Sequence, residues 1–315
     1  MTISDSAPVI VLAYTGDLES SVALTWLVDQ YQSDVVTLTL DVGQGTDLSA
    51  VRDRGLAVGA LRAHVMDVRD EFARLAVAPA LALGVDEPRV ASLARPLVAK
   101  YLSQVAAIEG TSTVAHGSRI ANSDPVGLNG LLAATSPSLR VLAPCRDWAL
   151  SEAAVITRAR DRGIPVPVAG SELTSVRTLW GRALSGELLR GAWSEVPASA
   201  FSLTRSVGGW PGVAATLDLE FANGVPVSLN GIAMPLIELL PSLETIAGAH
   251  GLGRMDFASL AGVRPRIVEE VPAPFVLHHA MKALSAVVPA MWPAVHGTVR
   301  LKCFMGECEV EEVSI

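Results

Sequence analysis

The hydrophobic pattern of the first half of the chain repeats one unit. Short, β-branched apolar runs at Val9–Ala13, Val35–Leu40, Ala63–Val68, Thr113–His116 and Val141–Ala143 alternate with longer stretches whose apolar residues recur every three or four positions. The continuous runs suit strands covered on both faces. The longer period suits helices near Ser21–Tyr31, Leu48–Val58, Arg69–Ala82, Leu93–Ile108 and Ser151–Asp161. Strand–helix units of this length predict an α/β fold with a parallel sheet and helices on both faces. Ligands of such sheets lie beyond the strand C-termini, which points to Thr15–Ser21, Asp41–Gly45 and Gly117–Asp124. The Pro-rich stretch Ile164–Val168 closes this domain, taken as residues 1–168. In residues 169–315, strands at Thr216–Phe221, Pro226–Leu229, Phe275–Leu277 and Thr298–Phe304, with helices at Ile237–Ala249 and His278–Val287, predict a smaller α+β domain.

Composition narrows the class. With 24 Lys and Arg against 32 Asp and Glu, the 315 residues carry a net charge of −8. No basic run interrupts that balance, which argues against a nucleic-acid partner. The sequence shows no long uncharged apolar stretch and no signal-peptide order at its start, so a cytoplasmic protein without a membrane partner is expected. Cys145, Cys303 and Cys308 lack metal-site spacing. They read as free thiols in a reducing compartment, with Cys303 and Cys308 on neighbouring strands as the alternative.

The first strand and its loop hold the strongest chemical signal. Ala13-Tyr14-Thr15-Gly16-Asp17-Leu18-Glu19-Ser20-Ser21 leads from a buried strand into a helix whose cap is expected at Ser20 or Ser21. Such a junction aims free backbone N–H groups and the positive helix end at one place, a ready anion site. Asp17 and Glu19 put two carboxylates in or beside it. Asp17 is expected to strain a backbone position suited to positive φ, at about 1 kcal/mol. It is also expected to repel phosphate by about a few kcal/mol unless a cation bridges the two.

This loop resembles the pyrophosphate loop of the argininosuccinate synthase family, Ala-Tyr-Ser-Gly-Gly-Leu-Asp-Thr-Ser. Further matches follow in order: Thr37–Gly45, Ser92–Pro96, Ala115–Gly117, Gly163–Val168, Leu179–Arg182, Leu229–Gly231, His250–Asp256 and Gly297–Lys302. The resemblance implies a nucleotide-binding domain of the N-type ATP pyrophosphatase (adenine nucleotide α-hydrolase-like) class, followed by a synthetase-like domain. It also implies that ATP activates the ureido oxygen of citrulline, pyrophosphate leaves, and the aspartate amine displaces AMP. Ala13, Tyr14, Thr15, Gly16, Asp17, Glu19, Ser20, Ser21, Leu40 and Gly117 then correspond to the ATP-binding positions, and Glu19 and Asp17 to positions that reach a phosphate-bound Mg²⁺. Leu40 stands where the family has a small residue; it either fills space beside the nucleotide or turns into the core. His116 reads as a structural residue at a strand end.

The amino-acid positions depart further from the family. The segment that binds aspartate and citrulline corresponds to Arg119–Gly127, in which Arg119, Ser123 and Asp124 are the polar candidates. Glu87 and Glu269 stand where the family has Tyr, and Thr174 where it has Ser. A polar site with mismatched partners discriminates strongly against its former substrate. The expectation is therefore a repurposed AMP-forming ligase that joins a small-molecule amine or amino acid to an adenylate other than that of citrulline. The alternative is a non-catalytic relative acting as a binding, regulatory or subunit-like protein. The C-terminal part looks shortened against the family, so a homo-oligomer smaller than the family tetramer is expected.

Overall fold

The computed structural model describes residues 7–117, 127–148, 151–165, 173–189, 195–257, 266–287 and 295–315. Two compact units emerge. One gathers Met1–Asp41, Thr46–Val68 and Arg95–Gly170; the other gathers Val42–Gly45, Arg69–Ala94 and Ser171–Ile315.

In the first unit, β1 (Val9–Ala13), β2 (Asp34–Asp41), β3 (Arg62–Asp67), β4 (Thr113–His116) and β5 (Arg140–Leu142) form one sheet in the order β3-β2-β1-β4-β5. Every pairing is parallel, as the alternation of strand and helix patterns predicts. Ile10, Leu12, Tyr14 and Val35 turn to one face, where Leu24 and Leu27 of the helix Leu18–Tyr31 meet them with Val51 and Ala60. Val11 alternates to the other face, and the helix Arg95–Ile108 packs on β1 and β2. Burial on both faces explains why these strands lack polar alternation. Leu40 is buried in β2 on the same face as Val36 and Leu38, which favours its core reading. Strand order reverses at β1, so the C-terminal ends of β1 and β4 flank a topological switch point. Ala13 pairs there with His116.

The second unit has two antiparallel sheets. β6 (Thr174–Thr178), β7 (Gly181–Ser185), β11 (Arg254–Phe257) and β12 (Ile267–Glu270) take the order β11-β12-β7-β6. β8 (Ala215–Ala222), β9 (Val225–Leu229), β10 (Ile232–Ala233), β13 (Gly297–Phe304) and β14 (Glu307–Ser314) take the order β10-β9-β8-β13-β14. Phe275–Leu277, expected as a strand, lies inside the helix Pro272–Val287. Three adjacent apolar residues misled the reading. Val276, Leu277, Ala280, Met281 and Leu284 form a helical stripe, and Pro272 sits in the first turn, where no intrahelical donor is needed. The expected helix Arg69–Ala82 is interrupted by a π turn at Ala73–Val77. Gly181 is required on two counts: φ is +144°, and a Cβ would lie 2.2 Å from the Glu270 carbonyl oxygen. No described helix is long and apolar enough to cross a membrane.

Candidate active site

The Thr15–Ser21 loop leaves the C-terminal end of β1 at the switch point and enters the helix Leu18–Tyr31. Its cap is Asp17, not Ser20 or Ser21. The Asp17 backbone is extended (φ −75°, ψ 174°), and its Oδ1 accepts from the Ser20 N–H at 2.7 Å. The helix thus starts three residues earlier than the apolar period indicated, because Leu18 and Glu19 form a first turn that contributes little to the core. The left-handed position is Gly16 (φ +76°), where a Cβ would also meet Val51 at 3.0 Å. The strain expected at Asp17 is therefore absent: an acidic side chain at a helix N-cap is favourable both as an acceptor and against the helix dipole.

Hydrogen bonds hold the loop in one shape. The Thr15 hydroxyl donates to Asp17 Oδ2 at 2.7 Å and lies 3.2 Å from the Ser20 hydroxyl oxygen. Ser21 is buried and shares a 2.9 Å hydrogen bond with the Tyr14 hydroxyl. The Tyr14 carbonyl accepts from Thr39 Oγ1 at 2.8 Å, tying the loop to β2. Arg54, from the helix Leu48–Val58, donates to the Gly16 carbonyl. Burial raises the Tyr14 hydroxyl pKa; the hydrogen bond to Ser21 and the Arg54 charge pull it down, and Asp17 pushes it up. Both charges therefore act on one atom, where the Arg54 guanidinium opposes Asp17. Sequence reasoning missed Arg54, since only tertiary packing places it there.

Across the switch point, Gly117 follows β4, and its missing Cβ would make only ordinary contact with Cys145. His116 is buried, with Nε2 2.8 Å from Asn129 Oδ1, and burial lowers its pKa. A neutral structural imidazole fits those facts. Arg119, Ser123 and Asp124 lie outside the described residues.

The second unit holds the other candidates. Glu87 is exposed, its carboxylate 3.9 Å from Arg89. Thr174 is exposed on β6; its hydroxyl donates to the Ser185 carbonyl at 3.1 Å and lies 3.0 Å from the Ser185 hydroxyl. Glu269 is buried on β12. Its two oxygens accept from the backbone N–H groups of Arg89 (3.2 Å) and Val90 (2.9 Å), and burial lifts its pKa to about 7. Its neighbour Glu270 is a hub that sequence reasoning passed over. It is fully buried and accepts from Ser202, Leu203 and Thr204 N–H, the Thr204 hydroxyl and Arg182. Its adjacency to Glu269 was the available signal, because on one strand the two carboxylates must turn to opposite faces. Each one clamps a different segment.

Comparison with known proteins adds the following. Residues 9–165 match the family described as "Arginosuccinate synthase N-terminal HUP domain", and residues 174–290 match "Arginosuccinate synthase C-terminal domain". The argininosuccinate synthase of Streptococcus thermophilus is 40% identical over 282 residues, covering 87% of this chain and 70% of the relative. That of Streptococcus mutans is 39% identical over 285 residues, covering 88% and 72%. The NMN synthetase structure from Francisella tularensis has a TM-score of 0.36 at 14% identity, covering 50% of this chain and 63% of that one. The two streptococcal matches correct an expectation. The repurposed ligase and the non-catalytic relative were inferred from changed pocket residues, yet relatives alike along nearly nine-tenths of the chain carry the name of the synthase. At Asp17 the expected strain is replaced by a helix cap.

Proposed function

Because the chain belongs to the argininosuccinate synthase family, we propose that it joins citrulline and aspartate into argininosuccinate, converting ATP to AMP and pyrophosphate. The observation that carries this reading is the continuous likeness to synthases through both halves of the chain. In it, the ureido oxygen of citrulline attacks the α-phosphorus of ATP and pyrophosphate leaves. The aspartate amine then attacks the activated carbon and expels AMP.

The residues have distinct tasks in this scheme. The N–H groups at the start of the helix Leu18–Tyr31, with the hydroxyls of Thr15 and Ser20, hold the leaving pyrophosphate, and Ser21, buried on the Tyr14 hydroxyl, supports the loop from beneath. Ala13, Tyr14 and Gly16 bring backbone close to the pyrophosphate, while Gly117 flanks the adenosine and Leu40 packs in the core beneath. Asp17 and Glu19 fit a magnesium ion by their donor chemistry. Asp17 is exposed, and each of its oxygens accepts one hydrogen bond in the structure, which leaves lone pairs for a hard cation. A bound ion would neutralise phosphate charge and stabilise the leaving group. Arg54 keeps the Gly16 carbonyl turned away from the anion. Arg119, Ser123, Asp124, Glu87, Thr174 and Glu269 are assigned to the amino-acid substrates by their sequence positions. For Glu269 the backbone clamp on Arg89 and Val90 supports an indirect role, shaping the turn before Ser92–Pro96.

The test is direct. Purified protein with ATP, Mg²⁺, citrulline and aspartate should release pyrophosphate and form argininosuccinate in equal amounts, and omitting any one substrate should stop formation of the product. Folded protein that releases no pyrophosphate with all three present overturns the proposal.

A further inference from the structure

The hairpin β13–β14 carries two thiols that the synthase chemistry leaves unused. Cys303 and Cys308 are direct cross-strand partners, with sulfurs 3.9 Å apart. Their placement follows from the turn. Met305 (φ 48°) and Gly306 (φ 82°) both take the left-handed conformation, as a two-residue type I′ turn requires. The turn's own hydrogen bonds make Phe304 and Glu307 the bonded pair. Alternation then makes Cys303 and Cys308 a non-hydrogen-bonded pair, with α-carbons expected about 4.5 Å apart. That separation falls inside the range a disulfide spans. The turn is anchored by the Gly306 N–H, which donates to the His250 carbonyl at 2.9 Å, and Gly306 lies against Trp210, where a Cβ would come within 2.9 Å.

We propose that Cys303 and Cys308 form a reversible disulfide, a redox modification site on β13–β14 that closes by exchange with a small-molecule disulfide such as oxidised glutathione. The two thiols differ in a way that sets the order of events. Cys308, on the edge strand, is half-buried; Cys303, beside Val299 and Leu301 on the inward face, is fully buried. Cys308 therefore meets the oxidant first. Its thiolate is favoured by the Cys303 S–H that donates to it, which lowers the Cys308 pKa and raises that of Cys303. The Cys308 thiolate attacks one glutathione sulfur, forming a mixed disulfide and expelling one glutathione thiolate. Once Cys308 is in the mixed disulfide it no longer offers a thiolate to the Cys303 S–H, so the hydrogen bond that chiefly raises the Cys303 pKa is lost. The Cys303 thiol passes its proton to solvent and its thiolate attacks Cys308 Sγ, expelling the second glutathione. Two protein thiols and one small disulfide become one protein disulfide and two small thiols, with the two protons ending on the latter. Exchange of this kind is fastest when the attacking thiol has a lowered pKa and is accessible.

Trypsin reads the result directly. Cleavage after Lys302 releases residues 303–315 as one peptide holding both cysteines and no further Lys or Arg, whereas Cys145 falls in the peptide ending at Arg146. Intact protein is equilibrated in glutathione buffers of rising oxidised fraction, alkylated and digested. The expected result is a 303–315 peptide lighter by two hydrogens and free of alkyl label, at a rate independent of protein concentration. Cys145→Ser should not alter it, and Cys303→Ser should leave glutathione trapped on Cys308. The proposal is overturned if the 303–315 peptide keeps both alkyl labels in every buffer. It is equally overturned if wild-type protein stops at a Cys308–glutathione adduct, or if it links to a second chain instead. Should Cys303→Ser not fold, Cys308→Ser serves in its place and is expected to leave Cys303 fully alkylated.

Discussion

Replacing Glu269 with Gln is expected to abolish the pH dependence of stability contributed by this site. Glu269 is 2% exposed, and its carboxylate accepts two backbone N–H groups, from Arg89 and Val90. Those bonds favour the charged form, yet burial outweighs them and lifts the pKa from 4.5 to about 7. The unfolded chain releases this proton near 4.5 while the folded chain keeps it, so the folded state binds more protons between the two values. The contribution is complete below pH 4.5 and is lost as pH rises through about 7. At about 1.4 kcal/mol per pH unit, the loss is about 3 kcal/mol. A Gln side chain has the same shape and no charge to bury, so it escapes the loss. Urea unfolding of wild type and Glu269→Gln across about pH 5 to pH 8 cancels all other titrations in the difference. The variant should start near parity or slightly below, and gain about 3 kcal/mol on the wild type at the alkaline end. A difference that stays flat, or a variant that falls behind as pH rises, would mean the two N–H donors match or outweigh burial and the reasoning is wrong.

Two further outcomes follow from the geometry. Asp17→Ala removes the cap on the helix Leu18–Tyr31 and should cost about 1 kcal/mol in urea melts, whereas Asp17→Asn keeps the acceptor for Ser20 N–H and should be near neutral; the Asn variant should nonetheless need more Mg²⁺ for half-maximal pyrophosphate release. Glu270→Ala strands Arg182 and three backbone N–H groups around a buried void, and should cost about 3–5 kcal/mol, read as a lowered urea midpoint with unchanged slope.

Part of the fold was legible because burial writes itself into local pattern. Continuous β-branched runs announced a sheet covered on both sides, and the helix Leu48–Val58 was placed residue for residue. The antiparallel unit was harder to read. Its strands β6, β7, β11 and β12 are short, and Phe275–Leu277 satisfies strand and helix patterns equally until Pro272 and the inward stripe are seen together. For the site, the loop residues were legible because Gly16, the hydroxyls and the following helix are adjacent in the chain. Arg54 and the Glu269 clamp were not, since each joins segments far apart in sequence: 38 residues separate Arg54 from Gly16, and 180 separate Arg89 from Glu269.

The sequence by itself determined the family, the parallel sheet and the loop that follows β1, because each depends on residue order and local period. Only the tertiary structure decided what Asp17 does. A carboxylate beside a phosphate loop reads as repulsion from composition, but at φ −75° with its oxygen on the Ser20 N–H it is the first group of a helix. Residue type fixes which ionisable group a position carries, whereas its energetic sign depends on which donors and charges the fold brings within a few ångströms.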